Sequence, residues 1–336
     1  MDFQLTDDQR ALRDGTRQLL AGRFGRERLR AAVDDPAPDR ALWRELGAAG
    51  FFALRLPEEA GGVGLGLPEA VLVMEEAGRA LLPGPLVGCQ LLAGVVDGVA
   101  SGERTAGLCE AAAGRALWEH PDHCDELILI EAPDGGSAAG SAAGRDAELG
   151  ADKGRTGGAY RSAASEVSCA RLTSVDPLTP LARVTDVPRG APLALDTAAL
   201  RREAALLTAA QQLGSAARTL EMAVSYARGR EQFGAPIGSF QAVKHLCAQM
   251  LVRAETARGA VYAASVTQGA LEVTGAKLLA DEAAVRNARD CLQVHGGMGF
   301  TWEADVHLHL KRAWVRAESW GTAAEAEEAL AAGLIA

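Results

Sequence analysis

Leu206, Leu207, Ala210, Leu213, Ala217, Leu220 and Val224 recur at spacings of three and four, which lays them along one face of a long helix. Gln241 to Ala264 repeats that spacing through Leu246, Cys247, Met250, Leu251 and Ala254, and Ala276 to Val294 repeats it again. Long helices must hide such faces against one another, so this segment is expected to form an antiparallel bundle with two Gly-rich stretches at its turns. Composition points the same way. Hydrophobic residues make up 48% of the 336 but aromatics only 4%, and the abundant Ala, Leu, Arg and Glu lose little side-chain freedom in a helix.

The N-terminal part also reads as helical. Thr6 precedes Asp7-Asp8-Gln9, a capping residue followed by acids that suit the positive end of a helix dipole, and Leu12, Leu19 and Leu20 share a face. A helix from Arg40 carries Leu42, Trp43 and Leu46 before Gly50, and another runs from Glu69 to Leu82, where Pro83-Gly84-Pro85 ends it. Pro57 to Gly66 between them is a Gly-rich loop. Leu127 to Glu131 is apolar and β-branched and predicts a strand, with Leu172 to Val175 and Leu181 to Val184 as two more. Gly135 to Ser165 is Gly, Ala and Ser with almost no large apolar side chain, so it is expected to be mobile. The expected organisation is a helical domain over 1–110, a reduced β middle domain over 111–192 and a C-terminal four-helix bundle over 193–336.

A net charge of −10 disfavours nucleic acid as a partner. No run reaches the ~18 apolar residues of a membrane span and no basic, apolar leader opens the chain, so a cytoplasmic protein is expected. Six cysteines lie scattered without a C-x-x-C pair, as reduced thiols do. His120, His123 and Cys124, or His307 and His309, are close in sequence, but neither set has a second ligand pair at a metal-site spacing, and no metal is expected.

Two motifs carry chemistry. Arg230-Glu231-Gln232-Phe233-Gly234 ends one long helix and leads through a Gly/Pro turn to Phe240-Gln241. An arginine fork there matches a diphosphate, and the next helix start offers free backbone N–H groups. A plain helix connection with a solvated arginine fits the same spacing. Gln293-Val294-His295-Gly296-Gly297-Met298-Gly299-Phe300 follows a helix directly, and its glycines allow backbone amides to approach a phosphate or ribose. A helix C-cap is the alternative.

Together, and in this order, the R-x-x-F-G…F-Q-A-V-x-H and Q-x-x-G-G-x-G-F patterns resemble the acyl-CoA dehydrogenase family. Phe3-x-Leu5-Thr6-x-x-Gln9, Leu46 to Gly50 and Pro57-Glu58-Glu59-x-Gly61-Gly62-x-Gly64 resemble it too. The resemblance implies a mostly α acyl-CoA dehydrogenase-like fold and an FAD shared between subunits. One subunit grips the flavin ring, and its neighbour lends residues for the diphosphate and adenosine. It implies that Arg230, Gln232, Phe233, Gln241, Gln293, Gly296 and Gly297 belong to the lent set, with Gly321 and Thr322 also against the cofactor.

The chain departs from the family's pattern in the other half. The T-E-P…G-S-D and W-x-T-N-A-like segments that hold the flavin ring and thioester are missing. The family's Y-E-G-T tetrad, whose glutamate is the catalytic base, falls on Ser319-Trp320-Gly321-Thr322, and an indole accepts no proton. Some members carry the base on the first bundle helix, near Ala204 here. Glu203 and Glu318 therefore stand as off-register candidates, each equally readable as a solvated helix charge. The expectation is a non-catalytic subunit that lends its clamp to a complete homologue, in an α2β2 assembly acting on an acyl-CoA with electron-transfer flavoprotein as acceptor. A homo-oligomeric dehydrogenase with a displaced base, a flavin-dependent monooxygenase and a non-enzymatic scaffold are the alternatives. Trp302 to Arg312 alternates in character and is expected to pack a polar face at the subunit interface. Lys311, Arg312 and Arg316 are expected to pair with local acids or meet a CoA phosphate.

Overall fold

The computed structural model describes residues 4–36, 39–111, 116–131, 158–186 and 191–335. Five helices come first: α1 (Asp7–Arg23), α2 (Arg26–Asp34), α3 (Arg40–Ala48), α4 (Leu67–Arg79) and α5 (Leu86–Leu92). Thr6 caps α1 in a capping box: its hydroxyl accepts from the Gln9 N–H at 3.2 Å, and the Gln9 side chain accepts from the Thr6 N–H at 3.1 Å. Asp39 caps α3 through the N–H groups of Ala41 and Leu42.

Seven strands follow: β1 (Ala106–Ala111), β2 (Leu117–Glu119), β3 (Glu126–Glu131), β4 (Ala159–Ala163), β5 (Ser168–Leu172), β6 (Leu181–Asp186) and β7 (Ala191–Leu193). They make two small sheets, ordered β1-β3-β4-β7 and β2-β6-β5. Only β1 and β3 pair in parallel; the other pairs are antiparallel. Two expectations are corrected here. The strand placed at 172–175 lies earlier, at Ser168–Leu172, where it pairs antiparallel with β6 from Ser168↔Asp186 to Leu172↔Leu181. The Gly/Ala-rich tract expected to be mobile to Ser165 ends sooner, because Ala159–Ala163 is held between β3 and β7. Residues 135–157 of that tract lie outside the described residues.

The last part is helical: α6 (Thr197–Gly229), a two-stranded hairpin of β8 (Glu231–Gln232) and β9 (Ala235–Pro236), then α7 (Gln241–Thr267), α8 (Ala270–His295), α9 (Val306–Ala317) and α10 (Ala323–Ile335). Asp196 caps α6, accepting from the Ala199 N–H at 2.9 Å. Every residue from Ala204 to Ala216 is buried, so this stretch of α6 has no solvent face and is enclosed by other elements. Its polar side chains are satisfied inside: the Gln212 amide donates to Asp281 at 2.9 Å and to the Ala313 carbonyl at 3.0 Å.

Helix α4 lies in backbone contact with α6. A Cβ on Gly78 would overlap the backbone of Gln211, and one on Gly214 would overlap the backbone of Glu75. Both glycines are therefore required by the approach of the two helices. One continuous apolar core extends from there through Trp43, Phe52, Val71 and Met74 to Leu206 and Ala280, and reaches the sheet at Ile128 and Ile130. In the stretch expected to present a polar interface face, Val306, Leu308, His309, Leu310 and Arg312 of α9 are buried within this chain, as are Ala313 and Arg316 beyond it, while Trp302 and Glu303 are exposed. Polar residues occur there because they have internal partners. Arg312 pairs with the fully buried Asp176, and His309 Nδ1 meets the Ser215 hydroxyl at 2.8 Å. Among the described residues no helix is long and apolar enough to cross a membrane, no three metal-ligating side chains cluster, and the six cysteines are unpaired.

Two outcomes follow. Gly214→Ala should lower the urea midpoint by an amount equivalent to about 3 kcal/mol, since the methyl meets backbone that cannot yield; an unchanged midpoint would show that α4 and α6 are not locked at this crossing. His309 is driven down to about 3, first by burial and then by Arg218, Arg312 and Arg316. Its folded value lies below the ordinary 6.5, so its contribution is complete above pH 6.5 and lost as pH falls towards 3, on the order of 5 kcal/mol over the window. Chemical denaturation at pH 7 and pH 4.5 should show a smaller acid loss in His309→Gln than in the parent.

Candidate functional site

At the end of α6 the backbone leaves the helix at Arg230 (φ −84°, ψ 123°), and its N–H still donates to the Tyr226 carbonyl. The β8–β9 hairpin turns at Phe233 (φ 53°) and Gly234 (φ 77°), two consecutive positive φ values of the kind a tight hairpin needs. The Ile237 N–H closes the hairpin on the Arg230 carbonyl at 2.8 Å. A phenylalanine in the left-handed region carries a steric cost of about 1–2 kcal/mol. Yet the Phe233 side chain is 94% exposed and meets only Phe240, edge-on with ring centres 6.2 Å apart. Arg230 is exposed and its side chain has no hydrogen bond or ion pair among the described residues. Gln232 donates only to its neighbour's carbonyl, at 2.8 Å. Gln241 is exposed at the start of α7, whose first turn has no side-chain cap.

The second motif ends α8. Gln293, Gly296 and Gly297 are exposed, Gly296 has φ 58°, and a Cβ on either glycine would meet nothing within 4 Å. The structure brings the two motifs together. Tyr226, one turn before Arg230, stacks on His295 with ring centres 4.1 Å apart. Beneath them a separate apolar cluster unites Ala223 and Ala227 of α6 with Met250 of α7 and Leu292 and Val294 of α8, and Ile237 packs on it. The result is an open face bearing the exposed Arg230 guanidinium and unobstructed backbone, suited to an extended anion.

Trp320, Gly321 and Thr322 lie elsewhere. They line a cavity of about 680 Å³ with Val87 of α5, Leu108 of β1, Leu117 of β2 and Trp314 of α9. Trp320 sits at φ 60° and packs on the main core. The Gly321 carbonyl accepts from Lys277 Nζ at 3.1 Å, and Thr322 forms the capping box of α10 with Glu325. Lys277 and Gln293 are about 24 Å apart along α8 at 1.5 Å per residue, so the chain does not bring this cavity to its own open face.

The cavity is acidic. Glu110, Glu119, Glu318 and Glu325 line it against a single Arg201, and Arg201 is itself matched by Glu110 at 2.8 Å. Burial raises the Glu110 carboxyl above its ordinary value, with Arg201 opposing. Nothing in the sequence singled out Glu110, because its surroundings come from β1, α6 and α10. Of the two base candidates, Glu318 is exposed at the cavity wall. Glu203 is not in the wall: it takes both oxygens to Arg55, at 2.7 and 2.8 Å.

Comparison with known proteins is direct. The acyl-CoA dehydrogenase N-terminal domain model matches residues 6–103 and the C-terminal domain model residues 189–334. The chain is 36% identical over 312 residues to acyl-CoA dehydrogenase IpdE2 of Mycobacterium tuberculosis, with 91% of each chain covered. It belongs to the acyl-CoA dehydrogenase family. It is also 39% identical over 292 residues to acyl-CoA dehydrogenase FadE34 of the same organism, a match spanning 82% of this chain and 39% of that longer protein. A crystal structure of the ChsE4-ChsE5 complex from Mycobacterium tuberculosis shares the fold, with a TM-score of 0.80 at 23% identity over 100% of this chain and 99% of that one.

This family of flavoprotein oxidoreductases uses FAD, so the open face is a candidate flavin-phosphate clamp. Glu110 gives a measurable signature of the cavity. Its folded pKa is raised above the ordinary 4.5, so the group favours folding below pH 4.5 and loses that contribution as pH rises through its folded value. Glu110→Gln should therefore flatten the fall in melting temperature from pH 4.5 towards neutrality. An identical pH profile would mean the carboxyl is solvated in the folded chain.

Proposed function

We propose that this acyl-CoA dehydrogenase chain is a subunit that lends the diphosphate and adenosine clamp to an FAD seated mainly in a complete partner, and that it is not catalytic itself. The observation that carries the reading is the separation on one chain of a clamp that fits the cofactor from a cavity that does not. Arg230 is free to fork onto a diphosphate, Gly296 and Gly297 leave backbone open to it, and Gln232, Phe233, Gln241 and Gln293 surround them. In the cavity, four carboxylates against one already-paired guanidinium repel a cofactor or thioester bearing phosphates, and Trp320 stands where the family's base would be.

When bound, FAD accepts the β-hydride of the acyl thioester. This chain's residues would hold and orient its phosphate end, while the α-proton goes to a carboxylate of the partner. Phe233 is strained and almost wholly exposed, with Phe240 edge-on to it, and a partner subunit covering the clamp would bury it. The ChsE4-ChsE5 fold neighbour is a complex of two named chains, which suits an α2β2 assembly here with an acyl-CoA as substrate. Electron-transfer flavoprotein is the acceptor this reading calls for, and six unpaired cysteines suit a cytoplasmic location.

Purification of the chain alone and co-expressed with a full-length homologue tests the reading. The chain alone should be colourless, and the pair yellow and active. Arg230→Ala should weaken FAD retention by the pair roughly tenfold to a hundredfold, the size of a lost charge-assisted contact. A chain that is yellow and dehydrogenates an acyl-CoA by itself, or a partner fully loaded and active without it, would sink the proposal.

A further inference from the structure

We propose, on the clamp reading above, that the ring pair of Tyr226 and His295 sets how far Arg230 stands from the Gly296–Gly297 backbone, and so positions the two halves of the clamp for the FAD diphosphate. A short path through the molecule carries this. The Arg230 N–H donates to the Tyr226 carbonyl at 2.9 Å. The Tyr226 ring lies on the His295 ring with centres 4.1 Å apart and planes 23° from parallel. His295 directly precedes Gly296. Tyr226 and His295 are thus positioning residues, which act on the cofactor through Arg230 and the glycines.

The half-buried His295 ring is pinned from its own helix. Its Nδ1 lies 2.8 Å from the Cys291 carbonyl, and since a carbonyl only accepts, Nδ1 carries the proton and donates. The turn that follows α8 folds back onto the same residue. A Cβ on the buried Gly299 would come within 3.2 Å of His295 Cβ and 2.9 Å of the Leu292 carbonyl oxygen. The segment bearing Gly296 and Gly297 is therefore seated on His295, while Tyr226 belongs to the last turns of α6.

The helices are tied together without this contact. Eight residues earlier in α8, about 12 Å along the axis, the fully buried Asn287 donates to the Ala216 carbonyl of α6 at 3.2 Å and to the Met250 carbonyl of α7 at 2.9 Å. It also accepts from Arg253 Nε at 2.9 Å. Beyond that tie the shared apolar cluster includes Ala223, Ala227 and Leu292, whose contacts have no preferred direction. A stacked pair with one ring held by a hydrogen bond does have one. Direction matters at the clamp, because a guanidinium forks onto phosphate oxygens only within a few tenths of an ångström of about 2.8 Å.

The test uses the full chain assembled with a full-length homologue, stripped of cofactor, and reads the FAD dissociation constant from flavin fluorescence. Tyr226→Leu and His295→Leu should each weaken FAD binding about threefold to tenfold, the size of one aromatic pair. Tyr226→Phe, which keeps the ring, should restore the parental affinity. The double Leu variant should bind no more weakly than the worse single one, because both lose the same contact. Losses that multiply in the double variant, or a Tyr226→Phe as weak as Tyr226→Leu, overturn the proposal. Parental affinity in both Leu variants overturns it too: the clamp reading survives that result if Arg230→Ala still weakens FAD binding, and falls with it if Arg230→Ala changes nothing. Should one Leu variant not assemble, the other decides by the same criterion. Failure of both to assemble would show that the stack holds the fold itself, and overturns the proposal as well.

Discussion

The backbone contact between α4 and α6 is the constraint on which the rest depends. Gly78 and Gly214 have no side chain to hold the helices apart, so α4 lies directly on a helix buried on every side from Ala204 to Ala216. Close-packed interiors transmit such placements because they cannot deform continuously. Glu75, on the α4 side of the crossing, also takes the Tyr262 hydroxyl at 2.7 Å and pairs with Arg258, which ties α7 to the same point. The placements of α6 and α7 against α4 thus meet at one point.

That arrangement gives the two ends of α8 different chemistry. At its C-terminal end, segments of α6, α7, α8 and α9 share a small core and leave glycines and Arg230 facing outwards. Nearer its N-terminal end, Lys277 is buried and committed to Asp281 and the Gly321 carbonyl, which fixes the turn behind Trp320. A cation is spent inside the protein there, and the adjoining cavity keeps an excess of carboxylates. The electrostatic contrast between the ends supports a division of labour between chains better than any one missing residue does.

Much of the fold was legible in the sequence. The three long helices, the Thr6 cap and the strand over Leu127 to Glu131 were readable because helix and strand periods depend on local spacing alone. The β5 register and the β4 strand were not, since Ala159–Ala163 (Ala-Tyr-Arg-Ser-Ala) is short, has no apolar β-branched residue and becomes a strand through pairing with β3 and β7. The polar pattern of α9 misled for a similar reason. Arg312, Arg316 and His309 look solvated in sequence, yet Asp176 and Ser215, far away in the chain, meet Arg312 and His309 in the interior.

The sequence by itself determined the family, and it marked the two Gly-rich motifs and the Ser319-Trp320-Gly321-Thr322 tetrad that the proposed function rests on, because each is a matter of residue identity at fixed spacing. Tertiary structure alone decided that the motifs meet, that Glu203 is occupied by Arg55, and that Glu110 stands in an acidic cavity. Those facts depend on which distant elements are packed together, and on charges whose meaning comes from burial and neighbours, neither of which is written in local order.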